Sequence, residues 1–151
     1  EETKYGNALA KYISKPVILD NGQDAEDLLV YLTGFRPSGT DIKVYAKLLN
    51  AEDYDKFEDK VWSLMDNQSP EVYSSSMDTN DFREFQFKLP YSGISGAGFR
   101  NSSNFNIIQY TGNNGEVYIG YKQFAIKIVL TSPSGNIVPI INDVRCLALQ
   151  V

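Results

Sequence analysis

VYIGYKQFAIKIVLTSPSGNIVPIINDVRCLALQV, residues 117–151, is the stretch that decides the fold class. Within it Phe124, Ile126, Ile128 and Leu130 recur at period two, with Gln123, Ala125, Lys127 and Val129 on the opposite face. That spacing is the signature of a β-strand. Ser132-Pro133-Ser134-Gly135-Asn136 interrupts the run with turn chemistry, because proline presets φ while glycine and asparagine tolerate positive φ. A second strand is expected over residues 137–151, with Pro139 near its start, where a missing N–H costs least. No catalytic constellation lies on or beside this pair, which reads as scaffold.

Upstream, the same logic extends in both composition and spacing. Residues 1–9 form a weakly patterned lead-in, and residues 10–151 are expected to make one domain. Residues 12–19 (YISKPVIL) have strand composition interrupted by Pro16, the mark of an edge strand or a bulge. Asp20-Asn21-Gly22 is a tight-turn signal. Residues 28–35 (LLVYLTGF) are apolar on both faces, as in a central strand. The Arg36-Pro37-Ser38-Gly39-Thr40 turn leads to DIKVYAKLL, residues 41–49, which alternates cleanly. Two strands joined this way predict an antiparallel hairpin.

Residues 50–60 change character. Asn50 as N-cap, Glu52 and Asp53 in the first turn, and Tyr54, Phe57 and Val61 in one stripe predict a short helix. Trp62 and Leu64 would pin its far end, and residues 65–80 read as a polar loop. FREFQFKL, residues 82–89, is an amphipathic strand whose Phe82–Phe85 spacing calls for a bulge near Arg83-Glu84. Residues 90–106 are a long Gly/Ser/Asn-rich loop, residues 107–110 a short strand, and residues 111–115 a hairpin turn. Six to eight short strands with one short helix predict an all-β, antiparallel β-sandwich of jelly-roll type rather than a parallel α/β fold.

Composition narrows the function. At 151 residues the chain can bury a core without metal or disulfide staples. Its net charge of −5 disfavours nucleic acid and anionic membranes as partners, and no apolar run is long enough for a transmembrane helix. The absence of histidine removes Ser-His-Asp and Cys-His catalysis and the usual zinc sites. Cys146 in VRCLALQV reads as a small buried hydrophobe. The chain opens on Glu1 without a methionine, which fits a processed product or a piece of a longer polypeptide.

Three stretches carry residues of possible chemistry. The loop from Asp20 to Asp27 gathers acids and carbonyls, as calcium requires, but lacks EF-hand spacing and reads as a solvated turn. Glu52, Asp53, Asp55, Glu58 and Asp59 could be paired carboxylates, yet they alternate with lysine like a solvated face. Tyr91, Phe99, Phe105 and Tyr110, in or beside the glycine-rich loop, form the candidate contact loop, for a protein partner or a sugar ring. No cofactor or metal is expected, and no catalytic residue.

Three further groups of residues carry a family resemblance. They are Ala10-Lys11-Tyr12-Ile13-Ser14-Lys15-Pro16-Val17 with Ala25-Glu26-Asp27-Leu28; Gly39-Thr40-Asp41-Ile42-Lys43-Val44-Tyr45 with Trp62-Ser63-Leu64-Met65; and Phe124 to Leu130 with Asp143-Val144-Arg145-Cys146-Leu147-Ala148-Leu149. Together they resemble tail and baseplate proteins of contractile-tailed, T4-like and cyanophage-type bacteriophages. The resemblance implies a non-enzymatic β-sandwich domain of a longer virion protein. Such a domain would be assembled in the host cytoplasm and would contact other tail or baseplate subunits in an oligomeric structure. The last two strands are also similar to the late strands of galactose-binding-like jelly rolls, which implies the alternative of a carbohydrate-binding module for host-surface recognition.

Overall fold

The computed structural model describes residues 7–91, 98–101, 107–133 and 137–150. Twelve strands occupy most of them, all paired antiparallel, and the only helical element among the described residues is one 3₁₀ turn, Phe57–Asp59. The chain is an all-β sandwich. The first sheet contains β1 (Asn7–Ile13), β2 (Val17–Ile18), β4 (Asp41–Leu49), β5 (Ser63–Leu64) and β11 (Gln123–Ser132). Its order is β1-β11-β4-β5, with β2 also on β11. The second sheet, in the order β12-β3-β7-β6, contains β3 (Asp27–Phe35), β6 (Asp66–Asn67), β7 (Arg83–Lys88) and β12 (Ile140–Leu149). A small third sheet, β10-β9-β8, is built from β8 (Phe99–Asn101), β9 (Ile107–Thr111) and β10 (Val117–Ile119).

One core unites the three. Leu28, Val30 and Leu32 of β3 and Phe85 and Phe87 of β7 meet Val44 and Ala46 of β4, Ile126 and Ile128 of β11, and Ile108 and Tyr110 of β9. Each set is every second residue of its strand, so the period-two pattern delivers the core directly. The opposite face of β11 is buried as well, with Ala125, Lys127 and Val129 each 3% exposed or less. Here the Trp62 ring lies 4.8 Å from the Lys47 ammonium and 5.0 Å from that of Lys127, which also stands 4.6 Å from Tyr45. Alternating cations and rings thus cover the central strand.

Several expectations need correction. The expected hairpin of β3 and β4 is a crossover: consecutive strands lie in different sheets. The turn between them is drawn inward by Arg36, 6% exposed, whose backbone exchanges hydrogen bonds with Ser74 at 2.8 and 3.0 Å. β11 and β12 likewise belong to different sheets. β1 starts at Asn7, inside the expected lead-in, and β8 divides the expected 90–106 loop. Phe82 stands outside β7, which pairs with β3 in unbroken register, so no bulge is required.

The expected helix over residues 50–60 reduces to the 3₁₀ turn. Short side chains take the backbone groups a helix would use: Asn50 Oδ1 accepts from Glu52 N–H at 2.9 Å, and Asp53 Oδ1 from Asp55 N–H at 3.0 Å. Cys146 is exposed rather than buried. It lies on the inner face of β12, the last strand of its sheet, where Val144 and Ala148 on either side are only partly buried against the core.

Candidate contact surfaces

The candidate contact loop does not assemble as one platform. Tyr91 is 60% exposed, Phe99 is half-buried on β8, and Phe105 lies outside the described residues. Tyr110 is 3% exposed and belongs to the core. Its place follows from alternation on β9, where Ile108 and Tyr110 turn inward while Ile107 and Gln109 turn out. Its hydroxyl donates to Asp53 at 2.7 Å and accepts the N–H of Asn50 at 2.8 Å, and burial pushes its pKa well above the ordinary tyrosine value.

That hydroxyl is part of a closed polar network. Lys60 Nζ donates to Asp53 and Asp55, each at 2.8 Å, and Asn50 Nδ2 donates to the carbonyls of Ile119 and Gly120 at 2.8 and 3.1 Å. Burial alone would raise the Asp53 pKa. Hydrogen bonds from Lys60, from the N–H of Asp55 and from Tyr110, with the lysine charge, hold it below the usual carboxylate range. The acidic segment thus carries a carboxylate held ionised, whose job is to clamp residues 50–60 onto the third sheet.

A depressed folded-state pKa gives stability that is present above the unfolded value and lost as pH falls through the folded one. Asp53→Asn is therefore expected to lose about 1–3 kcal/mol at neutral pH. The gap to the parent protein should close below about pH 4. Urea unfolding of both proteins across pH measures it.

The acids of the Asp20–Asp27 loop are not gathered around a common point. Asp27, 3% exposed, accepts from Arg100 Nη1 at 2.7 Å and from its neighbour's N–H (Leu28) at 2.8 Å. Its carbonyl receives the Tyr121 hydroxyl at 2.7 Å. This junction joins β3 to β8 and to the chain entering β11. It also seats the aromatic loop, since Arg100 N–H donates to the carbonyl of Pro90 at 2.7 Å and its guanidinium lies 5.9 Å from the Tyr91 ring. Arg100 drew no attention in the sequence; only its alternation with Phe99 hinted that one of the two turns inward.

Three surfaces remain open. The outer face of the third sheet aligns Phe99, Gln109 and Ile119 in one cross-strand row, and Val117 and Ile119 are each 54% exposed. At the edge of the second sheet, β12 has no strand partner on its outer side among the described residues. Between the two large sheets, where the chain crosses at Met65, lies an open groove of about 540 Å³ lined by Arg36, Asp41, Lys43, Asp66, Asn67 and Gln68. Arg36 is already engaged there. It donates to the carbonyls of Pro70 and Val72 at 2.9 and 3.0 Å, lies 3.4 Å from Asp41, and stacks 4.5 Å from Tyr73. Its charge fastens the 70–74 segment, so the groove's strongest cation is committed to structure.

Comparison of the chain with protein-family models, with curated proteins and with solved structures finds no match to any of them. Function must therefore be argued from these surfaces and from the resemblance of the sequence.

Proposed function

We propose that this chain is a non-enzymatic structural domain of a phage virion, in the tail or baseplate, that acts through protein–protein assembly contacts. In this reading it is a jelly-roll domain with other virion subunits as partners. The observation that carries the assembly part is β12, a ten-residue strand that among the described residues is paired on one side only, with Ile140, Leu147 and Leu149 between 36% and 45% exposed. Strand edges and apolar patches of this kind are the usual sites of sheet extension and subunit contact. The virion part rests on the sequence resemblance.

The test is light scattering on the purified chain, followed by capture from phage-infected cells with identification of the bound proteins. Tail or baseplate subunits retained specifically support the proposal. A chain that retains none of them overturns it.

A second reading, a galactose-binding-like carbohydrate-binding module, is favoured by Tyr91. That ring is 60% exposed and seated beside a buried arginine, a geometry suited to stacking on a sugar. Glycan-array binding that disappears in Tyr91→Ala would support it, and an array without signal would dismiss it.

A further inference from the structure

Apart from one register break at Asn142 and a single pair of opposite charges, β12 carries few of the guards that natural edge strands use. It pairs with β3 from Ile140 to Leu149, and no described residue pairs with its other edge. Monomeric proteins keep such edges short, or place proline or inward-facing charge on them. β12 is ten residues long, contains no proline, and has no charge on its inner face, where Val144 and Ala148 pack against the core and Cys146 between them is exposed. Its charges, Asp143 and Arg145, sit two residues apart on the outer face, each side chain nearly three-fifths exposed. Arg145 donates to Glu84 at 2.6 Å and lies 3.8 Å from Asp143, but both ion pairs are solvent-exposed and can exchange partners across the edge. The strand therefore carries no net charge, although the chain carries −5.

We infer that β12 pairs antiparallel with β12 of a second copy of this chain, about a two-fold axis at Val144. The inference gives the assembly reading its first partner and rests on that reading only for its biological setting. The register follows from chemistry. Facing residues of an antiparallel pair point to the same side, so the axis can move only by whole residues. With the axis at Val144, Asp143 faces Arg145 of the second copy and Arg145 faces its Asp143. Asn142 is the extra residue where β12 breaks register against β3. Skipping it, Cys146 faces Ile141 and Leu147 faces Ile140, so exposed apolar residues also meet each other. An axis at Arg145 would set arginine against arginine, and one at Asp143 would set aspartate against aspartate. An axis at Cys146 would set both charges against leucines. An acid and a base in this order are matched by an antiparallel copy of the same strand, which is why the occupant is this chain itself.

The test is sedimentation velocity on the purified chain over a wide concentration range. The parent protein is expected to dimerise. Asp143→Arg and Arg145→Asp, each creating two like-charge contacts, should weaken the dimer by roughly tenfold or more. Asp143→Arg/Arg145→Asp should restore it to within about threefold of the parent, since the pairs are re-formed in reverse. These positions are exposed, and circular dichroism confirms that the variants fold.

Register is read by oxidation with copper phenanthroline, oxygen accepting the two electrons and two protons released as two thiols become one disulfide. Val144→Cys/Cys146→Ser, with its thiols at the axis, should yield a covalent dimer, because residues facing across antiparallel strands meet disulfide geometry. The parent protein, whose Cys146 faces Ile141, should not. A monomer at every concentration overturns the inference, as does a single charge variant that dimerises like the parent. Crosslinking through Cys146 but not through position 144 also overturns it. A monomer that still retains tail subunits would sink the self-pairing and leave the assembly reading standing; a dimer that retains none would do the reverse.

Discussion

Arg100→Met is expected to cost about 3–5 kcal/mol of unfolding free energy, the largest loss of any single substitution considered for this chain. Arg100 is 2% exposed and Asp27 3%. Taking two such charges out of water is expensive, and their mutual attraction offsets that cost only while both are present. Methionine fills much of the same volume but leaves the Asp27 carboxylate buried, holding the N–H of Leu28 and facing no guanidinium. The penalty belongs to the stranded charge, so Asp27→Asn in the Arg100→Met background should recover a good part of it. Urea unfolding of the parent, both single variants and the double variant closes the cycle. If the double variant is no more stable than Arg100→Met, the loss comes from packing and the electrostatic account fails. A second readout follows from the seat of the aromatic loop: Arg100→Met should raise protease susceptibility around Tyr91, whose neighbour Pro90 accepts the Arg100 N–H.

The fold class was legible because alternation is a local property. Phe124-Ala125-Ile126-Lys127-Ile128-Val129-Leu130 and Asp41 to Leu49 declare strands whatever lies beside them, and both are strands. Which strand pairs with which is a different kind of information. A Pro/Gly turn is compatible with a hairpin and with a crossover; β3 pairs with β7 and β12 while β4 pairs with β11 and β5, and no local pattern records those distant partners. The acidic segment misled for a related reason. Its stripe of Tyr54, Phe57 and Val61 suggests a helix, but Asn50 and Asp53 bind nearby N–H groups and a lysine through short side chains, and Tyr54 ends 99% exposed. Of the candidate contact residues, Tyr91 is open to solvent, while Tyr110 is closed off by a phenol-to-carboxylate bond spanning 57 residues of sequence. Long-range partners of this sort, like Arg100 with Asp27, leave almost no trace in composition or spacing.

Gly120 and Gly22 share a backbone conformation, and comparing them separates two costs that usually arrive together. Both have φ of +78°, where a Cβ is strained. A Cβ on Gly22 would meet nothing within 4 Å, whereas one on Gly120 would lie 2.8 Å from the carbonyl oxygen of Ala25. That carbonyl is not free to retreat. It accepts the N–H of Tyr121 at 2.9 Å, the Ala25 N–H returns a bond to Tyr121 at 3.0 Å, and Gly120 N–H donates to Ile108 at 2.8 Å. The chain is therefore pinned where the third sheet hands over to β11. Gly22→Ala should lose only the conformational term, about 1 kcal/mol. Gly120→Ala should lose that term plus the displacement of the Ala25–Tyr121 bridge, about 2–4 kcal/mol in all. Chemical denaturation of the two variants in parallel measures the difference. Equal losses would mean that the bridge yields easily and that only φ matters at Gly120. A larger loss at Gly120 would mark the crossing of Ala25, Ile108 and Tyr121 as a rigid joint, the point from which the third sheet and its open face of Phe99, Val117 and Ile119 are held against the sandwich.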